Sequence, residues 1–160
     1  MPRGAARALR HARRMERPFG PNSTLVERYL AQLARLTAAD FAAIVVRWRD
    51  GLRKSDAWYA AEDAVGDGIA RTRRDDEMWL VQDRLYALFR GTPWYQQRVT
   101  PPEVATQYLA NSAAMALMVA DAIPRDALAI LYAPFAEAIP LADLVLEPIR
   151  DGGDELRNAG

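Results

Sequence analysis

The chain contains no cysteine, one histidine and one lysine, and each scarcity closes off some chemistry. Without thiols there is no disulfide framework, no thiolate metal site and no cysteine nucleophile, and the expected setting is an intracellular, cytoplasmic one. The single histidine, His11, lies in a basic N-terminal stretch. A Ser-His-Asp triad, a multi-histidine zinc site and the Glu-x-x-His ligands of di-iron bundles all need an imidazole in the folded body, and none is there. Long apolar runs are missing too. The most apolar stretch, AAMALMVADAI, is interrupted by Asp121 and closed by Pro124, well short of the ~20 residues of a membrane span. It reads as a buried core helix, and no transmembrane segment is expected.

Lysine is scarce because arginine replaces it: twenty of the 21 basic residues are Arg, and alanine occurs thirty times. That usage follows from a GC-rich coding sequence, so arginine abundance alone says little about phosphate recognition. At 160 residues and 51% hydrophobic content, the chain suits one domain with a substantial core. Its charge sums to zero but is unevenly placed. Residues 1–20 carry six arginines against Glu16, while residues 21–160 are net acidic by five charges.

Three segments follow: a basic tail over residues 1–20, a helical domain over 21–150 and a polar, disordered end over 151–160. In the tail, Arg3, Arg7, Arg10, Arg14 and Arg17 recur at helical spacing and would form one cationic stripe, opposite a thin face of alanines, Leu9 and Met15. Such an arm suits nucleic acid, an anionic surface or an acidic partner. Competing with it are a frayed terminus, an organellar leader that lacks the usual serines, and a reading frame extended upstream of Met15.

The body predicts an all-α, single-domain bundle of about six to seven helices around a central apolar helix at about 101–123. Asn22, Ser23 and Thr24 offer caps to a first helix running to about Leu36. Thr37 and Asp40 form a capping-box pattern before the stripe Phe41, Ile44, Val45, Trp48 and Leu52. RWRDGLRKS reads as the charged end of that helix, stopping near Gly51, in preference to a DNA-reading helix-turn-helix. Ser55 caps a third helix with Trp58, Ala61, Val65, Ile69 and Thr72 on one face. Asp63, Asp67, Arg71 and Arg74 lie opposite, on what reads as a solvated side, with Asp67 and Arg71 as an i, i+4 pair.

The stretch VGDGIARTRRDDE raises the question of a phosphate loop beside a metal cluster. Its glycines fall inside a helical stripe, where a phosphate loop needs them between a strand and a helix. Gly66 and Gly68 are expected to weaken that helix or admit a close neighbour. A change of phase near Asp75 separates a C-terminus holding Arg71, Arg73 and Arg74 from an N-terminus holding Asp75, Asp76 and Glu77. Gly91 is the expected left-handed stop of the next helix. Thr100, Pro101 and Glu103 start the central helix, which encloses Asn111 and Ser112. Prolines at 124, 134, 140 and 148 divide the remainder into short helices.

Acids are the only catalytic inventory. Glu62, with Asp63 beside it, borders the Trp58/Val65/Ile69 face, where burial would raise its pKa or let it meet a metal. Yet AEDAVGD and DDEMWLVQD match neither the Glu-Glu-x-x-Glu nor the Glu-x-x-Asp half of the Mg²⁺ motif of helical nucleotide pyrophosphohydrolases, and no family resemblance is drawn. No catalytic residue, cofactor or metal is therefore assigned; Glu62 and Asp63 stand as weak metal candidates. Trp94 and Tyr95, in the one aromatic-rich loop, and Asn111 are candidate ligand or partner contacts. The leading expectation is an interaction or scaffold module with an unidentified protein partner or a second copy of itself. The alternatives are an anion binder through the arginine arm and an enzyme or small-molecule binder near Glu62.

Overall fold

The computed structural model describes residues 19–92, 102–141 and 144. Among them are six α-helices and no strand: α1 (Ser23–Leu33), α2 (Ala38–Arg47), α3 (Asp56–Thr72), α4 (Asp75–Arg90), α5 (Pro102–Met118) and α6 (Arg125–Tyr132). The all-α single-domain bundle expected from periodicity is the fold observed. No single helix among the described residues is long and apolar enough to cross a membrane.

α5 is central. It packs against each of the other five α-helices, and Leu109, Ala110, Ala113, Ala114, Ala116, Leu117 and Met118 are fully covered. The four alanines explain how one helix can meet so many neighbours, because interaxial distance shrinks with the side chains at the contact. Around it, Val26, Tyr29, Leu30 and Leu33 of α1 and Phe41, Ile44 and Val45 of α2 complete a continuous core with Trp58 and Ile69 of α3 and Val81, Leu85 and Phe89 of α4. Phe19 is also fully buried, so the body begins before the boundary drawn at residue 21.

Local chemistry sets most helix ends. Thr37 accepts from the Asp40 amide at 3.2 Å while the Asp40 carboxylate accepts from the Thr37 amide at 2.8 Å. This reciprocal box, with the Thr37 hydroxyl, holds the Asp40 carboxyl below its usual pKa. Ser55 caps α3 by accepting from the Trp58 amide at 3.2 Å. α3 and α4 are separate helices, divided by Arg73 in the left-handed region at φ 54°.

Four expectations about ends and faces are corrected. α1 stops at Leu33, because Arg35 and Leu36 bond back to Gln32 and Leu33 in tighter turns that deliver Thr37 to its cap. Asn22 gives α1 no side-chain cap; its amide donates instead to the Met118 carbonyl at 3.0 Å and the Asp121 carboxylate at 2.7 Å. Gly91 closes α4 with right-handed angles, φ −79° and ψ −6°. α2 runs past Gly51 as a π-helical turn, Trp48–Leu52. Of the later short segments, Arg125–Tyr132 is helical, Ala133–Phe135 forms only a 3₁₀ turn, and most of residues 142–150 lie outside the described residues, as does Thr100 with Pro101.

Candidate functional site

The arginines of the glycine-rich stretch resolve first. Arg74, expected on a solvated face, is 7% exposed. It donates to the Met118 carbonyl and lies 3.6 Å from Asp121 and 4.0 Å from Glu77. Arg71 reaches the carbonyls of Asp67, at 3.4 Å, and Ala122, at 2.6 Å, in place of the expected Asp67 carboxylate. The last turn of α5 leaves carbonyls without intrahelical donors, and cations beside a helix C-terminus are favoured by its partial negative charge. Arg74 and Asn22 supply both needs at the Met118 carbonyl, and Arg71 serves the Ala122 carbonyl in the turn beyond it. Gly20 fits against this clamp at φ +62°, where an added Cβ would stand 3.2 Å from Glu77 and 3.3 Å from Arg74. The stretch that resembled a phosphate loop therefore holds down the end of the central helix.

The glycines divide. A Cβ on Gly68 would lie 2.9 Å from Ile123 and 3.2 Å from Val119, whereas Gly66 has open space around it. Close approach thus explains Gly68 only.

Glu62 is half-buried and accepts from the Trp58 indole N–H at 2.7 Å. Trp58 is fully buried, so its indole needs an acceptor inside the fold, and Glu62 one turn on provides it. Asp63 points away as an exposed neighbour. Among the described residues no three His, Asp or Glu side chains gather where they would hold a metal ion.

A groove also opens between α4 and α5. It measures about 220 Å³ and is lined by Gln82, Leu85, Tyr86, Phe89, Val104, Gln107, Tyr108 and Asn111. Leu85 and Phe89 form its buried floor, and Tyr86 and Val104, 50% and 58% exposed, its lips. On α5 the incompletely covered residues Val104, Tyr108, Asn111 and Met115 recur at i, i+4, i+7 and i+11. The central helix is thus left uncovered by the described residues along one stripe. Among the described residues no charged side chain lines the groove. Asn111 is the polar group of note: its Nδ2 touches the Met115 sulfur at 3.9 Å, while its Oδ1 is buried without a donor. Of the two roles open to this amide, an interhelical tether and a groove lining, the structure shows the second.

Trp79 extends the same side. It is 62% exposed and stands seven residues before Tyr86, so the two aromatics share a helix face. Neither was singled out from the sequence, because each looks like an ordinary member of an amphipathic stripe; their distance from the Val81/Leu85/Phe89 core face was the available signal. Trp94, Tyr95, Arg3, Arg7, Arg10, Arg14 and Arg17, named above as contact candidates, lie outside the described residues. No protein-family model, curated protein or solved structure matches the chain.

Proposed function

We propose that this protein is a helical interaction module that associates with a second copy of itself through the α4/α5 face. The observation carrying this reading is the self-complementary order of exposed groups on α4. An antiparallel crossing of two α4 helices, centred between Gln82 and Asp83, sets Trp79 of each copy opposite Tyr86 of the other. The same crossing sets Asp75 opposite Arg90 and the Gln82 amide opposite the Asp83 carboxylate, all on exposed or half-buried positions. Aromatics then meet aromatics at the centre, with opposite charges at the rim, the usual anatomy of a protein interface. A two-fold contact of this kind is isologous and closed, and it turns the α4/α5 hairpin into half of a four-helix bundle. The uncharged lining that the described residues give the groove favours such a partner, since burying an unpaired charge there is costly.

Light scattering on the full chain tests the reading. The expected mass is twice 17.9 kDa, falling to a single chain when Trp79→Glu and Tyr86→Glu are combined, with helical circular dichroism retained. A mass of one chain at every concentration from micromolar to millimolar would overturn it.

A further inference from the structure

We propose that the cavity beside the end of α2 is a binding site for a small phosphorylated molecule. The cavity measures about 590 Å³ and is lined by Trp48, Arg49, Arg53 and Lys54. Among the described residues three of the four lining side chains are cations, and all three are exposed. None has an acidic partner among the described residues, in contrast to Arg47, Arg74 and Arg84, each of which meets a carboxylate. Asp50, the acid of the same turn, is not part of the lining.

The local backbone explains the convergence. α2 continues into a five-residue π-helical turn, Trp48–Leu52, and then leaves helical geometry abruptly, with Arg53 at φ −36°, ψ 95° and Lys54 left-handed at φ 38°. Single-turn π segments recur at functional sites, and a left-handed backbone is uncommon for a residue with a long side chain. Here the irregular exit carries Lys54 back over the Tyr108 ring, 5.6 Å from its centroid, so that it faces the same space as the two arginines. Trp48 stands as the apolar wall, held by rings of Trp58 and Tyr108 whose centroids are each 6.3 Å away. Its indole N–H is buried without an acceptor.

Like charges gathered on one cavity repel, and a multiply charged anion relieves that repulsion while accepting charge-assisted hydrogen bonds from the guanidinium groups. A carboxylate carries one negative charge against three positive ones; a phosphoryl group or diphosphate matches better. The volume exceeds what a bare phosphate needs and leaves room for an organic portion against Trp48, the arrangement in which an aromatic wall adds apolar contact to an anionic anchor. A long polyanion is disfavoured, because residues 21–160 are net acidic by five charges and nucleic-acid affinity depends on many phosphate contacts.

The site is tested on the full chain by following amide and indole resonances during titration with inorganic pyrophosphate. The expected result is a saturable shift confined to residues 47–55 and the Trp48 indole. Combining Arg49→Gln with Arg53→Gln is expected to weaken binding by about tenfold or more, the loss of at least one charge-assisted hydrogen bond. Combining Arg35→Gln with Arg125→Gln, two exposed arginines elsewhere, should leave it unchanged. All four side chains are exposed, so the fold is expected to persist, and circular dichroism checks this. Absence of a saturable shift overturns the proposal, as does equal weakening in both pairs or a response confined to residues 1–18. Binding of duplex DNA or anionic vesicles at residues 47–55 without any response to pyrophosphate also overturns it.

Discussion

Arg74, the first residue after the left-handed Arg73, donates its guanidinium to the carbonyl of Met118, the last residue of α5. The junction between α3 and α4 is thereby fastened to the end of the central helix. Asp121 at 3.6 Å and Glu77 at 4.0 Å balance the buried charge. Arg74→Met keeps most of the apolar stem but takes the cation from two partly exposed acids and from a carbonyl that keeps only its Asn22 donor, and losing a hydrogen bond from a charged group costs about 1.5–3 kcal/mol. The expected readout is a lower urea midpoint at unchanged slope. Arg74→Lys should recover only part of the loss, because an ammonium lacks the planar fork. A midpoint equal to that of the parent protein would falsify the clamp.

Why this clamp escaped a reading of the sequence is a physical matter. Periodicity reports which face of one helix is apolar, and it placed Val81, Leu85 and Phe89 or Trp58, Ala61 and Val65 correctly in the core. It also located the break before Asp75 and both caps, Thr37 and Ser55, since those depend on neighbours three residues apart. Arg74 depends on Met118, 44 residues away, and nothing local distinguishes it from Arg73, which is exposed. The groove was legible only through Asn111: its amide was conspicuous on an apolar helix, whereas the exposure of Trp79 and Tyr86 follows from how α4 is rotated against α5. The π-helical turn had no sequence signal, as Gly51 looked like an ordinary stop.

The two glycines of α3 are expected to respond to alanine with opposite signs. At Gly66 the added methyl group meets nothing within 4 Å, so the gain in helix propensity of about 1 kcal/mol should appear as a higher melting temperature. At Gly68 the methyl group would sit 2.9 Å from Ile123, and relieving such overpacking typically costs about 1–3 kcal/mol. Gly68→Ala should therefore melt lower despite the same propensity gain. Parallel shifts of equal sign would refute the close contact of α3 with Val119 and Ile123.

Tyr29 sets an alkaline limit. It is fully buried, its ring centroid 5.8 Å from those of Tyr132 and Phe135, and its hydroxyl donates to the Ala110 carbonyl over a long 3.3 Å. Burial, with the neighbouring Tyr132, pushes its pKa well above the usual value. The folded state therefore favours the protonated phenol. That contribution is complete below the unfolded value of about 10 and is lost as pH rises from there toward the folded pKa. Tyr29→Phe should cost roughly 1 kcal/mol or less at neutral pH, the worth of one long hydrogen bond. Above pH ~10 the stability gap should narrow, because the variant has no phenol to ionise at that position. A gap that stays constant through the alkaline range in urea melts would show that Tyr29 does not titrate with unfolding.

Glu62 separates a structural role from a catalytic one. Its carboxylate accepts from the Trp58 indole at 2.7 Å, a task that an amide oxygen performs equally well and an alkyl group cannot perform. Glu62→Gln is accordingly expected to leave stability within about 0.5 kcal/mol of the parent, whereas Glu62→Leu leaves a buried donor without an acceptor and should cost about 1–3 kcal/mol. If the same carboxylate held a divalent ion, Mg²⁺ would raise the melting temperature of the parent protein and Glu62→Gln would abolish that rise. The geometry points the other way. With no group of three possible ligands among the described residues, the expected result is a melting curve indifferent to Mg²⁺ in both proteins, and a metal-dependent rise confined to the parent would restore Glu62 as a metal ligand.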